Sequence, residues 1–510
     1  MDKVQPIIND TLERFNSLSR QDKYVGAIGL ATAVVLTSYL SKSSKKNYPP
    51  FVSEKTIDNV NIDNNLRGWL EQASKKYGDT FRTQLFGTTI TVVGKEHARE
   101  VFLNDDFSFK DAIADKFDAA GMIGIHDSKK YERLTTIITR HLTPNLNVFN
   151  KRANEQVLFM LDKLVGPANV EPKVIYHLFP FVQDIVARSS TSVFAGEELC
   201  KNDTIVSCFG NVTFDIGSNL KKSWLMDTFP SFDLFYQRNI FPRTATVQKH
   251  RKNAKEILTP VIEERVRHLN DPNYKRSHDM LQIIIEQHDP SQNWGPSYTD
   301  FIINWMFILV FVSIHTTTEN TTHALYYLMK HPQYMDDLLA EQRAVLEEEG
   351  TKDQEVKFTY DVLRKLTKLD SFIREVFRMR STDLQLQHKN MSNHDITLSN
   401  GYVIPPGQNV YVNMWDIGRN VELQGENVEE FQPWRYVESA KQAVRIGNDN
   451  LFFGLGKHAC PGRFMAVNSM KITISNILNK YELTADSEIT IPTNFTGMPM
   501  GSVSFKKREN

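Results

Sequence analysis

The apolar residues of this chain recur mostly every three or four positions, which is the spacing of amphipathic helices. The pattern is clearest over 155–165, 250–269 and 279–288, and it predicts helices through most of 95–340. Residues 301–314 carry no charge, and at that length a buried core helix is favoured over a membrane span. The chain is therefore expected to be mainly α-helical.

Strand patterns are short. Residues 82–94 alternate and are rich in β-branched side chains, which predicts a pair of strands. Within 395–414, Asn400-Gly401 separates two alternating stretches and predicts a hairpin. The segment 494–505 is typical of a turn followed by a strand. These patterns predict small sheets beside the helices.

One uncharged apolar run near the N-terminus, residues 24–40, is about 17 residues long and would span ~26 Å as a helix, close to the ~30 Å core of a bilayer. Lys42, Lys45 and Lys46 follow it, which predicts a cytoplasmic main domain. The alternative is a cleaved signal peptide. The predicted division is a lumenal segment 1–23, a transmembrane anchor 24–40, a basic and polar linker 41–67, and one main domain 68–510.

Composition narrows the function classes. The formal net charge is −1, which argues against a nucleic-acid partner, and 41% hydrophobic residues are enough for a large core. Three cysteines are too few for a disulfide framework. Cys200 and Cys208 have no metal-ligand spacing with nearby histidines, so they are expected to be ordinary thiols.

The most informative segment is 451–466. Gly454 and Gly456 precede Cys460, and an apolar stretch at helical spacing follows. A sulfur at a helix N-terminus is favoured as thiolate, and a thiolate held this way is a good axial ligand for haem iron. The alternative is a buried cysteine that precedes a helix.

The pattern F-x-x-G-x-x-x-C-x-G is completed by Phe453, Gly456, Cys460 and Gly462, and it resembles the haem loop of the cytochrome P-450 superfamily. The resemblance covers about 50–505 and implies the P-450 fold, with 68–510 as a haem-thiolate catalytic domain. It also implies haem b (iron protoporphyrin IX) as cofactor and Cys460 as the metal ligand, in a loop that includes Gly454.

Two further motifs fit that family. Glu375 and Arg378 resemble its E-x-x-R motif, and Phe431, Pro433 and Arg435 resemble its F-x-P-x-R element. The resemblance implies a buried Glu375–Arg378–Arg435 network with a structural role. The alternative is a solvated surface pair.

The apolar run 301–314 ends in HTTTEN. Where the family has an acid followed by threonine, used in oxygen activation, this chain has His315, Thr316 and Thr317. Histidine can relay protons near neutral pH. The alternatives are threonines bonded to their own helix and an ordinary core histidine.

The haem propionates imply basic partners. His458 stands where the family has an arginine or histidine, and Arg140, in a segment that resembles the haem-flanking helix but lacks its tryptophan, is a second candidate. His388 or Lys389 is a third contact, and Tyr131 a possible hydroxyl donor. The alternative for each is a solvated charge.

The substrate pocket is placed by the family alone: segment 107–123, Phe311 and Val312, and the turn that contains Met498. Its apolar character implies a lipophilic substrate. Residues 221–243, aromatic and flanked by basic residues, resemble an interfacial segment, although a loop packed on the core is equally compatible.

The expected function is insertion of one oxygen atom of O₂ into a C–H bond of a steroid or terpenoid. No flavin or nicotinamide motif is found, so electrons are expected from a separate NADPH–cytochrome reductase, with cytochrome b5 as a further partner. The expected location is the endoplasmic reticulum membrane. Alternatives are a haem-thiolate isomerase or dehydratase, a fatty-acid hydroxylase, and a non-catalytic haem sensor.

Overall fold

The computed structural model describes residues 46–53, 57, 65–85, 87–126, 131, 133–166, 171–220, 223–293, 297–381, 384–492 and 497–508. The predicted lumenal segment, the anchor 24–40 and most of the linker lie outside these residues. The described chain divides into a small unit, 46–49 with 395–405, and a large unit that holds the rest.

The large unit is built mainly from helices, as the apolar spacing predicts. The predicted helical segments 155–165, 250–269 and 279–288 fall on α6, α11 and α12. The helices before residue 297 are α1 Leu66–Tyr77, α2 Lys95–Leu103, α3 Phe109–Ala114, α4 Ala119–Met122, α5 Leu134–Ile137, α6 Leu146–Leu164, α7 Leu178–Phe194, α8 Asp203–Asn219, α9 Trp224–Thr228, α10 Pro230–Phe235, α11 Ala245–Arg267 and α12 Met280–Gln287.

The C-terminal half adds the helices that surround the candidate site. Short 3₁₀ or π segments join several of them, including 138–142, 236–240 and 456–458. The helices are α13 Tyr298–Lys330, α14 Met335–Glu348, α15 Tyr360–Lys365, α16 Thr367–Arg380, α17 Met414–Arg419, α18 Val421–Gln424 and α19 Arg463–Lys480.

Helix α13 is the central element of the large unit. The Ser297 hydroxyl caps it by accepting from the Asp300 N–H at 3.0 Å. It packs against α7, α8, α11 and α19, so it is apolar on most of its faces. Among the described residues, α13 alone has the length and apolarity of a membrane span, but 61% of its most apolar stretch is buried. The prediction of a core helix is therefore confirmed.

Two sheets flank the helices of the large unit. The larger has the strand order β1-β2-β8-β5-β3, in which only the β2–β8 pair is parallel, and the smaller has the order β4-β10-β9. The predicted strand pair over 82–94 and the C-terminal strand are confirmed. The strands are β1 Phe81–Leu85, β2 Thr88–Val93, β3 Phe107–Ser108, β4 Lys173–Ile175, β5 Leu384–Asn390, β8 Asn409–Asn413, β9 Tyr481–Ala485 and β10 Val503–Lys507.

The small unit contains the predicted hairpin. Strands β6 Ile396–Thr397 and β7 Val403–Ile404 pair antiparallel around Asn400-Gly401. Gly401 has φ +82°, a conformation that favours glycine. The Asn-Gly turn was therefore correctly predicted from sequence.

The linker prediction needs a correction where the structure describes it. Val52 and Ile57 are buried in a cluster with Trp69 and Phe81. The Val52 N–H also donates to the Arg82 carbonyl at 2.8 Å. The packed core of the large unit thus begins before residue 68. Single apolar residues within a mostly polar segment contribute to that core, and they leave no periodic pattern in the sequence.

Candidate functional site

The loop before α19 is held in a tight shape around Cys460. Gly454 and Gly456 have φ +73° and +63°, and the Cys460 N–H donates to the Phe453 carbonyl at 2.7 Å. A Cβ on Gly456 would lie 3.2 Å from the Phe102 carbonyl, so glycine is needed for this close approach. The helix begins at Arg463, which leaves the sulfur just before the helix N-terminus.

Burial raises the pKa of the Cys460 thiol, while the N–H of Gly462 and the nearby Arg463 act in the opposite direction. The N–H groups at the helix start thus favour the thiolate, as the sequence predicts, but burial opposes them. Coordination to a metal would secure the thiolate, because a coordinating thiol is deprotonated outright. Cys200 and Cys208 are both buried, and burial raises the pKa of Cys208 to about 12.

Helix α16 supports this loop from behind. The Phe377 ring stacks on Phe452 with centroids 4.2 Å apart and meets Phe453 edge-on at 5.3 Å. The Arg374 guanidinium contacts the Asp449 carboxylate at 3.0 Å. Sequence analysis did not identify Phe377, Arg374 or Asp449, although the helical spacing of Arg374, Phe377 and Arg378 was visible.

The structure brings Glu375, Arg378 and Arg435 together. Glu375 is fully buried, accepts two hydrogen bonds of 2.7 Å from Arg378, and accepts from Arg435 Nε at 3.2 Å. The remaining N–H groups of both arginines reach backbone carbonyls, which include those of Gly418 and Asn427. This is a buried, well-satisfied network rather than a surface pair.

Two histidines meet at the edge of the cysteine loop. The rings of His388 and His458 lie 5.2 Å apart, and His458 Nε2 bonds the Phe107 carbonyl at 2.9 Å. His388 is fully buried and its Nδ1–H donates to the Leu386 carbonyl at 2.7 Å. Within the described part of the chain its Nε2 has no hydrogen-bond partner. Burial lowers the pKa of His388 to about 4.

Other propionate candidates lie elsewhere. Arg140 is exposed on the π segment 138–142, and the described contacts do not join it to the cysteine loop. Tyr131 is buried and stacks on Phe301 at 5.3 Å. Lys389 pairs with Asp115 at 2.7 Å. Proximity to the loop therefore favours His388 and His458.

Helix α13 separates the three residues predicted for oxygen activation. Thr316 is exposed although it lies in the middle of a mostly buried helix, and its hydroxyl donates to the Val312 carbonyl at 3.0 Å. Thr317 is buried, so it does not share the face of Thr316. His315 is half-buried with its ring 5.5 Å from Phe179 of α7, and burial lowers its pKa.

A polar cluster follows Thr316 by one turn. The Asn320 amide donates to the Thr316 carbonyl at 2.8 Å and accepts from Arg380, which also donates to Glu319 at 2.6 Å. Arg380 belongs to α16, so the cluster ties the end of that helix to the turn of Thr316. Sequence analysis missed it because nothing in the spacing predicts this contact across about 60 residues.

The predicted pocket residues are partly brought together. Val312 is 52% exposed in the interior stretch of α13, on the face of Thr316, and Phe311 lies 6.2 Å from Phe117 of the 107–123 segment. Met498 is half-buried near the bridge between Thr490 and Met500.

Residues 223–243 form what we call the cover segment. It contains α9 and α10, and its large apolar side chains are unusually exposed: Trp224 by 71%, Phe229 by 55% and Phe235 by 53%. Three large apolar side chains this exposed within twelve residues are typical of a surface that contacts a partner or a membrane. The alternative of a loop packed entirely on the core does not fit these exposures.

A family model described as cytochrome P-450 matches residues 47–509. The chain belongs to the cytochrome P-450 family. A cytochrome P-450 monooxygenase of Emericella nidulans is 26% identical over 506 residues, which cover 94% of this chain and 90% of the relative. The monooxygenase BOA4 of Botryotinia fuckeliana is 29% identical over 60% of each chain.

Solved structures agree on the fold. A retinoic acid-bound cyanobacterial P-450 superposes with a TM-score of 0.62 and covers 91% of this chain and all of its own, at 15% identity. The predicted P-450 fold is confirmed. As a member of the family, the protein is a monooxygenase that uses haem b with thiolate-bound iron, a redox partner and a lipophilic substrate.

The side chains around Cys460 offer one sulfur and two imidazole rings to a ligand that carries carboxylates. The buried Nε2 of His388 is unpartnered among the described residues and lies beside the cysteine loop. A neutral ring that donates through Nδ1 offers Nε2 only as an acceptor, but a nearby carboxylate would favour the protonated form, which donates through both nitrogens. The donor set therefore suits haem b.

Proposed function

We propose that Cys460 is the axial thiolate ligand of haem b and that His388 and His458 hold its carboxylates. The observation that carries this assignment is the closed loop in which the Cys460 N–H donates to the Phe453 carbonyl at 2.7 Å, between two left-handed glycines and a helix start. Bound haem supplies the redox chemistry that transfers one oxygen atom of O₂ to a C–H bond.

The protein's own groups complete the site. Thr316 lies on the exposed face of α13, where its oxygen can accept a hydrogen bond and its hydroxyl, once rotated away from the Val312 carbonyl, can donate and pass a proton. Asn320 and Arg380 fix the carbonyl end of that turn. His315 lies about 100° around the helix and faces Phe179, so Thr316 is the better candidate for the proton-transfer step.

The proposed substrate is a steroid or terpenoid. Phe117, Phe311 and the exposed Val312 offer apolar and aromatic contacts, which suit a bulky hydrocarbon skeleton. Electrons would come from an NADPH–cytochrome reductase, with cytochrome b5 as a further partner, because no flavin or nicotinamide motif is found in the sequence.

The proposed location is the endoplasmic reticulum membrane, with the catalytic domain in the cytoplasm. Two features support it: the uncharged run 24–40 with lysines after it, and the exposed aromatic residues of the cover segment. Deletion of residues 1–46 should release most of the protein from membranes while it keeps haem. Complete retention of the truncated protein would show either that 24–40 is not the main attachment or that residues 221–243 suffice alone.

The decisive test of the proposed ligand is Cys460→Ala. The variant should lose the ferrous–CO absorption band of a thiolate-ligated haem, because alanine offers no anionic sulfur. Cys200→Ala, which removes a buried thiol elsewhere, is the control and should keep the band. An unaltered band in Cys460→Ala would refute the assignment. Turnover that needs no NADPH would instead favour an isomerase or dehydratase.

A further inference from the structure

The side chain of Gln237 holds two backbone groups of the 107–123 segment. Gln237 lies on the π segment 236–240 of the cover segment and is fully buried. Its Oε1 accepts from the Asp118 N–H at 2.8 Å, and its Nε2 donates to the Lys116 carbonyl at 3.2 Å. One amide therefore satisfies the groups on both sides of Phe117.

Asp118 adds a second connection. Its carboxylate accepts from Arg238 Nε at 2.6 Å and, through the other oxygen, from the Gly121 N–H at 2.9 Å, where it caps α4. A Cβ on Gly121 would lie 2.8 Å from the Asp118 carboxylate. The backbone around Phe117 is thus held by Gln237 and Arg238 of the cover segment and by the cap that Asp118 makes on α4.

The position of Phe117 matters because its ring faces the long helix. It lies 6.2 Å from the ring of Phe311 with an interplanar angle of 31°, within the range of favourable aromatic pairs. The Phe311 carbonyl also accepts from the Thr213 hydroxyl of α8 at 3.4 Å. Phe311 is next to Val312, which shares the exposed face of Thr316.

We propose that Gln237 is a specificity-determining positioning residue, which sets the aromatic wall made by Phe117 and Phe311 for a bulky ligand. This inference rests on the proposed haem site and substrate cavity. Gln237 acts through its bonds to the backbone on either side of Phe117.

The amide is the required chemistry at this position. Glutamine accepts and donates at once, whereas leucine does neither and glutamate cannot donate when ionised. A buried backbone N–H or carbonyl without a partner is unfavourable, so either substitution should shift the 116–118 backbone.

The test uses the haem-loaded, full-length protein and two azole probes that bind through an imidazole nitrogen. Imidazole alone is too small to reach the wall made by Phe117 and Phe311, whereas clotrimazole carries three benzene-type rings in addition to its imidazole. Dissociation constants from difference spectra are compared for wild type, Gln237→Leu, Phe117→Ala and the double variant. Asn239→Ala is the control, because the Asn239 amide donates to the Phe235 carbonyl at 3.0 Å, within the cover segment.

Gln237→Leu should weaken clotrimazole binding roughly two- to twelvefold, the equivalent of one aromatic contact, and change imidazole binding less than about twofold. The double variant should bind clotrimazole as Phe117→Ala does, because Gln237 acts through that ring. Asn239→Ala should match wild type.

Additive losses in the double variant, or unchanged clotrimazole binding in Gln237→Leu, would overturn the inference. If Gln237→Leu does not fold, Gln237→Glu gives the same comparison, because it keeps the acceptor and loses the donor. Failure of the proposed function is distinct: wild-type protein would then show no thiolate band and no shift with either azole.

Discussion

The cysteine loop and the cover segment differ in how their contacts are made. Two kinds of contact hold the loop. Its backbone is fixed by two left-handed glycines and the Cys460 N–H bond, and behind it the buried Glu375 carboxylate is shared by two arginines. The cover segment is held by a few side chains such as Gln237 and exposes aromatic rings. Under the assignments proposed above, the haem ligand is held by backbone geometry and buried charges, whereas ligand selection depends on single side-chain contacts outside the loop.

The buried ion network behind the cysteine loop is tested by Glu375→Ala. Removal of the carboxylate leaves Arg378 and Arg435 buried without their anion, at about 3–5 kcal/mol, so stable haem incorporation should be lost. The measurements are haem content per protein and thermal unfolding. Glu71→Ala, which removes an exposed pair with Arg67, should cost less than about 1 kcal/mol. Full haem content in Glu375→Ala would show that the network is dispensable.

The opposite region is tested by Trp224→Ser, Phe229→Ser and Phe232→Ser together. In protein that lacks residues 1–46, co-sedimentation with phospholipid vesicles should fall by on the order of tenfold or more, since three exposed rings leave the interface. Haem content should stay at the wild-type value. Tyr176→Ser, at a ring that is 72% exposed elsewhere, is the matched control. Loss of haem in the triple variant would contradict the separation of the two regions.

A pH test addresses His323, which is buried in helix α13. Burial lowers the pKa of His323 to about 3, against about 6.5 in an unfolded chain. As the pH falls, the unfolded state therefore takes up the proton before the folded state does. The stability that the folded state gains from a neutral His323 is present above pH 6.5 and is lost as the pH falls toward 3. Between pH 6.5 and 5 the free energy of unfolding should drop by on the order of 2 kcal/mol from this group. His323→Gln should flatten that slope in chemical denaturation, and an equal slope would exclude the group.

The smallest expected effect is that of Thr316→Ala. Haem content and azole binding should be unchanged, while product per NADPH falls roughly two- to twelvefold and hydrogen peroxide rises, as for the loss of one hydrogen bond. Thr318→Ala is the control, because both hydroxyls donate to the carbonyl four residues earlier but that of Thr318 is buried. His315→Ala tests the neighbouring residue. Because burial lowers the pKa of His315, any effect of its removal on the pH profile of turnover should appear below pH 6.5. Unchanged coupling in Thr316→Ala would remove that hydroxyl from the mechanism.

The features that could be predicted from the sequence are those set by residues close together in the chain. Helical spacing, the Asn400-Gly401 turn and the strand pair 82–94 were correct, because their periodicity and turn chemistry are local. The cysteine motif also lies within one short loop, so its residues could be named before its geometry was seen. The burial of Val52 was missed, since one apolar residue in a polar segment gives no period.

Contacts between distant residues could not be predicted. The Asn320–Arg380 bond and the two bonds of Gln237 join positions about 60 and 120 apart, and nothing in residue type alone pairs them. Helix geometry alone turns His315 about 100° away from Thr316, but its contact with Phe179 of α7 could not be predicted.

The contact of His458 with the Phe107 carbonyl spans 351 residues and has a consequence for assembly. Closing a loop of this length costs about 5 kcal/mol of chain entropy when no other contact forms first, so this edge of the proposed haem cradle, the loop 451–462 with its neighbours, is expected to order after the helices have packed. A cofactor that binds only the ordered cradle adds its binding free energy to that last step. Haem supply would then set how much of the protein completes its fold, and a cell short of haem would lose protein rather than accumulate an inactive form.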